Sequence, residues 1–329
     1  MADISILGAG GWAIGLALCC YKNGHSVTMW TPFEKEAELL NSERSNNKLL
    51  PGVTLPEDIK ITTEIQNCDG SALTIIVTPS GTIREVAGKL KGLKNIGIIV
   101  NASKGIEKGT LLRLSTVINE ELPNCPVVAL SGPSHAEEVS RRIPTSVVAA
   151  CDDIQYAKIV QDMLSSDTFR IYTSDDIIGV ELGGALKNVI AICSGICDGM
   201  SLGDNSKAAL VTRGLSEMAR LGLCMGAKEH TFMGLAGIGD LMVTCNSQHS
   251  RNNRFGRLVG TGVDINEALQ QIGTVEGYYA AKQAHDLMEK YHIKLAIFEE
   301  CYQILYNSKP IEDIVKNLML RPYIMEHNQ

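Results

Sequence analysis

The sequence predicts an α/β domain followed by an all-α domain. Three observations carry this reading: short β-branched runs alternate with helical patterns through the first half, a glycine-rich turn follows the first run, and the strand signal ends near residue 178. At 329 residues the chain exceeds the size at which a single hydrophobic core stops growing, so two domains are the default.

The runs are ISILG (4–8), SVTMW (26–30), LTIIV (73–77), IGIIVN (96–101), VVAL (127–130), SVVAA (146–150) and FRIYT (169–173). Their alternation with helical segments is the pattern of a parallel sheet with crossover helices. Near-continuous hydrophobicity inside each run implies strands covered on both faces. Beyond them the apolar periodicity predicts helices over 179–199, 206–224, 252–260, 264–271, 275–291, 295–307 and 311–319. The joining stretch YTSDDIIGVE lacks linker composition and is expected to run directly into the first long helix. The division expected is 1–178 and 179–329, with a ligand crevice between the two parts.

The net charge of −7 and pI near 5.6 argue against a nucleic-acid or anionic-membrane surface, because phosphate backbones attract basic faces. Any phosphate site has to be local. Ten cysteines lie mostly in apolar surroundings, as at Cys19, Cys193 and Cys197, without zinc spacings or a secretory leader. Reduced thiols in a cytoplasmic protein are expected, with no metal site. No apolar stretch reaches membrane-spanning length without interruption by Gly, Ser or charge.

The first run leads into Gly8, Gly10 and Ala13 in G-x-G-x-x-A spacing, then a helical pattern, the Gly24 turn and the second run. Two glycines permit the tight turn and let backbone N–H groups approach a pyrophosphate, while a small third residue lets helix and strand pack closely. The placement raises a weak motif to a strong one. The end of the second strand, MWTPFEK, carries neither a clear acidic partner for ribose hydroxyls nor an arginine for an added phosphate.

Ligands of such sheets bind at the carboxyl ends of the strands, where VTPS (77–80), NASKGIE (101–107) and SGPSHAEEV (131–139) fall. Lys104 is the one cation near a strand end there, suited to an anionic ligand or merely solvated. Ser134 and Glu137 have capping-box spacing. His135 sits in that first turn, where a helix N-terminus disfavours an imidazolium.

Lys187 is the only charged residue between Leu182 and Cys197. Its bland explanation is a stem that covers apolar surface while the amine reaches water. Apolar or small residues flank it for more than a turn on both sides, however, and Asn188 adds a second polar group. An amine there loses hydration, which favours its neutral form and suits it to proton transfer. Farther on, 232–260 is dense in glycine and polar residues. Asp240 starts a helix, as a plain cap or a ligand group. Ser250 precedes Arg251, Asn252, Arg254 and Arg257, and a serine cap with a guanidinium at a helix N-terminus makes a small-phosphate receptor. Arg254 and Arg257 fit a solvated basic face equally well.

Taken together, GAGGWAIGLA, ASKGIE, SGPSHAEEV, YTSDDIIGVELGGALKNVIAI, GDNSKAALVTRGLSEM, GLAGIGDLMVTC, SRNNRFGRLVG and VEG resemble, in order, the motifs of the bacterial-type NAD(P)-dependent glycerol-3-phosphate dehydrogenase family. The resemblance implies a Rossmann-like dinucleotide-binding domain and a helical domain of the 6-phosphogluconate-dehydrogenase-like kind. The activity implied is interconversion of dihydroxyacetone phosphate and sn-glycerol 3-phosphate with NAD or NADP, without a metal, for glycerophospholipid synthesis. The position matching the family's acid–base lysine is Lys187. By the same match Lys104, Gly132, Ser134, Asp240, Ser250, Arg251 and Asn252 join it on the substrate, with Arg251 and Asn252 toward the phosphate. Gly8, Gly10, Gly11, Trp12, Lys104, Ala136, Arg251, Val275 and Glu276 line the cofactor. The implied partner is a small molecule, with no nucleic acid and no membrane insertion; a homodimer is a further expectation.

The chain departs from the family pattern in three places. Gly11-Trp12-Ala13 replaces Ser-Trp-Gly, both changes staying small. Thr31 and Pro32 stand where relatives often have arginine, which leaves the cofactor choice open. His135 replaces a common Phe, so no role transfers to it. Two rivals remain: a dehydrogenase of the same plan acting on a hydroxy acid or sugar derivative, and a non-catalytic dinucleotide sensor.

Overall fold

A computed structural model describes residues 1–322 and Met325. The chain forms two compact units, Met1–Ala185 with Met225–Asp240, and Leu186–Cys224 with Leu241–Gln329. Residues 323, 324 and 326–329 of the 179–329 span lie outside the described residues.

The first unit holds an eight-stranded sheet of β1 (Asp3–Leu7), β2 (Ser26–Trp30), β3 (Lys60–Thr62), β4 (Leu73–Ile76), β5 (Ile98–Asn101), β6 (Val127–Ser131), β7 (Thr145–Ala150) and β8 (Phe169–Ser174), in the order β3-β2-β1-β4-β5-β6-β7-β8. Its helices are α1 (Gly11–Lys22), α2 (Glu34–Glu43), α3 (Ile83–Leu90), α4 (Leu114–Glu121), α5 (Ala136–Val139) and α6 (Ile154–Leu164). All seven predicted runs are strands. The expected parallel arrangement holds from β3 to β6 and fails at β7, which is antiparallel to β6; β8 runs parallel to β7. The cause is the link between β6 and β7. It contains only the four-residue α5 rather than a crossover helix, so the chain re-enters the sheet from the end at which it left. The sequence reading missed β3, whose three residues Lys-Ile-Thr give little pattern.

Both faces of the sheet are covered, as the continuous apolar runs require. Ile6, Met29, Ile75 and Val100 face one core with Ala13, Ile14 and Ala17 of α1. Their neighbours Leu7, Trp30, Ile76 and Ile99 face a second core with Val86 and Leu90 of α3 and Val117 and Ile118 of α4. Each fully buried aliphatic side chain contributes about 1.5–3 kcal/mol, so these two layers dominate the stability of the unit.

The long helix α7 (Ile177–Gly199) starts where the sequence reading placed it, and Asp176 sets its beginning. That carboxylate accepts from the Gly179 N–H at 2.9 Å, the Lys228 N–H at 2.9 Å and the Thr231 hydroxyl at 2.5 Å. It thereby fastens α9 (Glu229–Phe232), which follows α8 (Gly203–Cys224) in the chain, to the start of α7, and brings the following π-helical turn Leu235–Gly239 against the first residues of α7. A Cβ on Gly183 would overlap the Ala236 carbonyl. By length and hydropathy α7 is apolar enough to cross a membrane, yet its most apolar stretch is 94% buried by protein, the condition of a core helix.

The remaining elements among the described residues are helices: α10 (Asp240–Asn246), α11 (Arg251–Gly260), α12 (Ile265–Ile272), α13 (Glu276–Tyr291), α14 (Ala296–Asn307) and α15 (Ile311–Met319). Within the second unit α7 and α11 cross through two G-x-x-x-G pairs. A Cβ on Gly195 would overlap the Asn253 carbonyl, and one on Gly256 the Ile192 carbonyl. Gly199 and Gly260 make the same close approach one turn on. This contact holds the start of α11 beside the middle of α7.

Glu217 of α8 caps α14 from outside, accepting from the Ile297 and Phe298 N–H groups at 2.9 and 3.3 Å. Burial outweighs these bonds and pushes its carboxyl from the ordinary 4.5 up to about 6. An acid whose native pKa is raised stabilises the fold below its unfolded pKa, and that contribution disappears as pH rises through the native one. Stability should therefore fall by about 2 kcal/mol between pH 4.5 and 7.5 on this account. Urea denaturation of the native protein and Glu217→Gln at both pH values checks it; an equal pH response in both proteins refutes the assignment.

Candidate active site

The glycine turn sits at the carboxyl end of β1. The Gly8 N–H donates to the Trp30 carbonyl at 2.8 Å, and its φ of +134° with a prospective Cβ 2.9 Å from the Val77 carbonyl oxygen admits only glycine. Gly10 is the N-cap of α1, with open space where its Cβ would be and no side chain capping the helix. The first turn of this twelve-residue helix thus has no side-chain cap of its own, as suits a receptor for phosphate. A Cβ on Gly11 would touch Leu50 and Ala136, so Ala136 of α5 stands against this turn, and Ala13 is fully buried beneath it. Gly8, Gly10, Gly11 and Ala136 are brought together, and half-buried Trp12 follows in the first turn of α1.

Lys104 follows β5 and is not a solvated loop lysine. Its Nζ donates to Asp240 Oδ2 at 2.6 Å and to the Gly132 carbonyl at 3.0 Å. Asp240 is 2% exposed and opens α10 directly from the π turn, so it serves as an ion-pair partner rather than a plain cap. Gly184 of α7 makes room for this arrangement, since a Cβ there would come within 2.7 Å of Ser131 Oγ and 3.3 Å of Lys104 Cγ. The Ser134 hydroxyl donates to the same Gly132 carbonyl at 3.0 Å. The capping box expected of Ser134 and Glu137 does not form: α5 begins at Ala136 with His135 as N-cap, which leaves Ser134 one position too early. Lys104, Gly132, Ser134 and Asp240 form one polar cluster in the first unit.

In the second unit Lys187 is 6% exposed, and its Nζ donates to the Thr244 hydroxyl at 2.5 Å. The amine does not reach out to water along its stem. Its charge bears on Cys245, whose thiol burial raises to about 12 and Lys187 partly draws back down. Next to it the Asn188 Oδ1 accepts from Asn252 Nδ2 at 2.9 Å, while Asn252 Oδ1 accepts from the Gly277 N–H at 2.9 Å. Asn252 therefore ties α7 to the first turn of α13, where Val275 is the N-cap and Glu276 the first residue. One amide hydrogen of Asn252 is left for a ligand.

Ser250 is the N-cap of α11, accepting from the Asn253 N–H at 3.2 Å as its spacing predicted. Arg251, the first residue of that helix, is exposed, and so is Arg254 one turn on. Arg257 pairs with Asp198 at 3.0 Å and belongs to the basic face. Thr244 is the residue that sequence reasoning missed. Its signal was available, because it lies four residues after Asp240 on α10 and shares that helical face. Among the described residues no group of three His, Cys, Asp or Glu is placed to hold a metal ion.

Residues 3–157 match the family profile described as NAD-dependent glycerol-3-phosphate dehydrogenase N-terminus, and residues 176–316 match the one for its C-terminus. The chain is 45% identical to glycerol-3-phosphate dehydrogenase (NAD(P)+) of Fusobacterium nucleatum over 99% of both chains. It is 47% identical to the Lysinibacillus sphaericus protein of the same description, over 98% of this chain and 97% of the other. The crystal structure of glycerol-3-phosphate dehydrogenase from Coxiella burnetii is similar with a TM-score of 0.93 at 39% identity, covering 97% of this chain and 99% of that one.

Proposed function

We propose, from the premise that this chain belongs to the NAD-dependent glycerol-3-phosphate dehydrogenase family, that it interconverts dihydroxyacetone phosphate and sn-glycerol 3-phosphate with Lys187 as the general acid and base. The observation that carries the assignment is a lysine 6% exposed in an apolar helix, its nitrogen held by a neutral hydroxyl. An ammonium so placed is a proton donor aimed by Thr244, with little water to compete.

The turn at Gly8, Gly10 and Gly11 fits a dinucleotide pyrophosphate, with Trp12, Lys104, Ala136, Arg251, Val275 and Glu276 assigned to the rest of the cofactor. When bound, the reduced nicotinamide supplies the hydride that the carbonyl carbon accepts. Lys187 gives its proton to the carbonyl oxygen as the C2 hydroxyl forms, and takes that proton back in the oxidative direction. Lys104, fixed by Asp240, is assigned with Gly132 and Ser134 to orienting the substrate's oxygens. Arg251 and the Ser250-capped start of α11 hold the phosphate, and Asn252 offers its remaining amide hydrogen. Holding the remote phosphate converts binding energy into alignment of the reacting carbon.

A role in glycerophospholipid synthesis follows from the reductive direction. Ten free cysteines agree with a cytoplasmic setting, and a homodimer is the assembly we assign. The decisive assay mixes the protein with dihydroxyacetone phosphate and each reduced nicotinamide in turn and follows the loss of nicotinamide absorbance. Turnover with at least one cofactor is expected; none with either overturns the reading.

A further inference from the structure

The corner beyond β2 is the place where a dinucleotide fold reads the adenosine ribose, and in this chain its chemistry is acidic. β2 ends at Trp30, whose carbonyl receives the Gly8 N–H, so the chain leaving the strand passes beside the glycine turn. Thr31 comes next and is 1% exposed. Its hydroxyl donates to Glu36 Oε2 at 2.6 Å and accepts from the Phe33 N–H at 3.4 Å. A carboxylate in the first turn of α2 is thereby pinned to the strand end by a buried side chain, with its second oxygen available as an acceptor.

The surroundings add to this sign. Residues 31–38 read Thr-Pro-Phe-Glu-Lys-Glu-Ala-Glu, three carboxylates against one ammonium. Arg44, just past α2, is turned inward and donates to the carbonyls of Pro56 and Ile59. Lys35 is exposed between two glutamates. A second phosphate placed here meets fixed negative charge, while the Arg44 guanidinium is already committed to backbone carbonyls.

We infer that Glu36, held by Thr31, sets the cofactor choice: it accepts from the ribose hydroxyls of NAD(H) and repels the 2′-phosphate of NADP(H). This rests on the dinucleotide reading of the glycine turn, and it is tested by binding rather than by turnover. Fluorescence titration of the full chain should give a Kd for NADH at least about tenfold below that for NADPH, the scale of one uncompensated like-charge contact. Glu36→Gln should bring the two constants within about threefold, mainly by tightening NADPH. Thr31→Val, which frees the carboxylate without removing it, should give an intermediate ratio. Wild-type protein that binds NADPH as tightly as NADH overturns the inference. So does a Glu36→Gln protein of unchanged melting temperature with an unchanged ratio. Failure of both nucleotides to bind is a different result: it removes the cofactor reading itself, and this inference with it.

Discussion

Lys187→Ala is expected to lower kcat by about 10²–10⁴-fold, the usual contribution of a positioned acid–base group, while NADH still binds. The expectation comes from the burial of the amine. Its partner Thr244 carries a neutral hydroxyl and the adjacent Asn188 a neutral amide, and neither can take over proton transfer at neutral pH. Water is a poor replacement where the side chain is 6% exposed. Because alanine leaves a cavity at the centre of α7, Lys187→Met should be measured beside it, filling most of the volume without a proton. Both variants should show the same loss of kcat and an unchanged affinity for NADH by fluorescence titration. Arginine is not a conservative test, since a guanidinium holds its proton across the working pH range. Retained turnover in the methionine variant would return the protein to the dinucleotide-sensor reading, which requires no proton donor.

The contrast between Lys187 and Lys104 shows what a sequence can display. Lys187 stands out because, Asn188 apart, its neighbours along one helix are apolar or small, and helix periodicity turns that local fact into burial. Lys104 gives no such signal. Its partner Asp240 lies 136 residues away, and only the folded chain shows that the two meet. Ser134 shows the opposite error, a local pattern that matched a rule. A capping box needs the helix to begin one residue after the serine, and the short link from β6 to β7 places that start at Ala136 instead. The same short link reverses β7, which its apolar run could not foretell, because strand direction is set by the connection and not by the strand. The close crossing of α7 and α11 was written in two G-x-x-x-G pairs, but their meaning depends on the pairs facing each other. Residues 225–240 illustrate the limit of composition: they look like the helical half, while Asp176 holds them to the first unit.

Arg251→Ala is expected to raise KM for dihydroxyacetone phosphate and to lower kcat/KM by about 10- to 150-fold, the worth of a hydrogen-bonded charge contact. Arg251 is the first residue of α11 and is exposed, so truncating it should cost the fold little. Ser250 still caps the helix and Asn252 still ties α7 to α13, which keeps the helix N-terminus and its N–H groups in place. The residual phosphate affinity should come from those groups. Arg254 is the internal control: it is exposed one turn along, has the same charge, and its alanine variant should stay within about threefold because screened charges at that separation matter little. Dihydroxyacetone, which lacks the phosphate, separates the two ways Arg251 could act. If the guanidinium grips the phosphate, native and Arg251→Ala proteins should reduce dihydroxyacetone equally slowly, because the lost interaction was never available to that substrate. If Arg251 acts mainly on the cofactor, the variant should be impaired with both substrates and KM for NADH should rise. An unchanged KM for dihydroxyacetone phosphate would remove the phosphate anchor. It would also favour a substrate ending in another group, since the serine-capped, arginine-bearing start of α11 is the feature that a hydroxy-acid dehydrogenase has no need of.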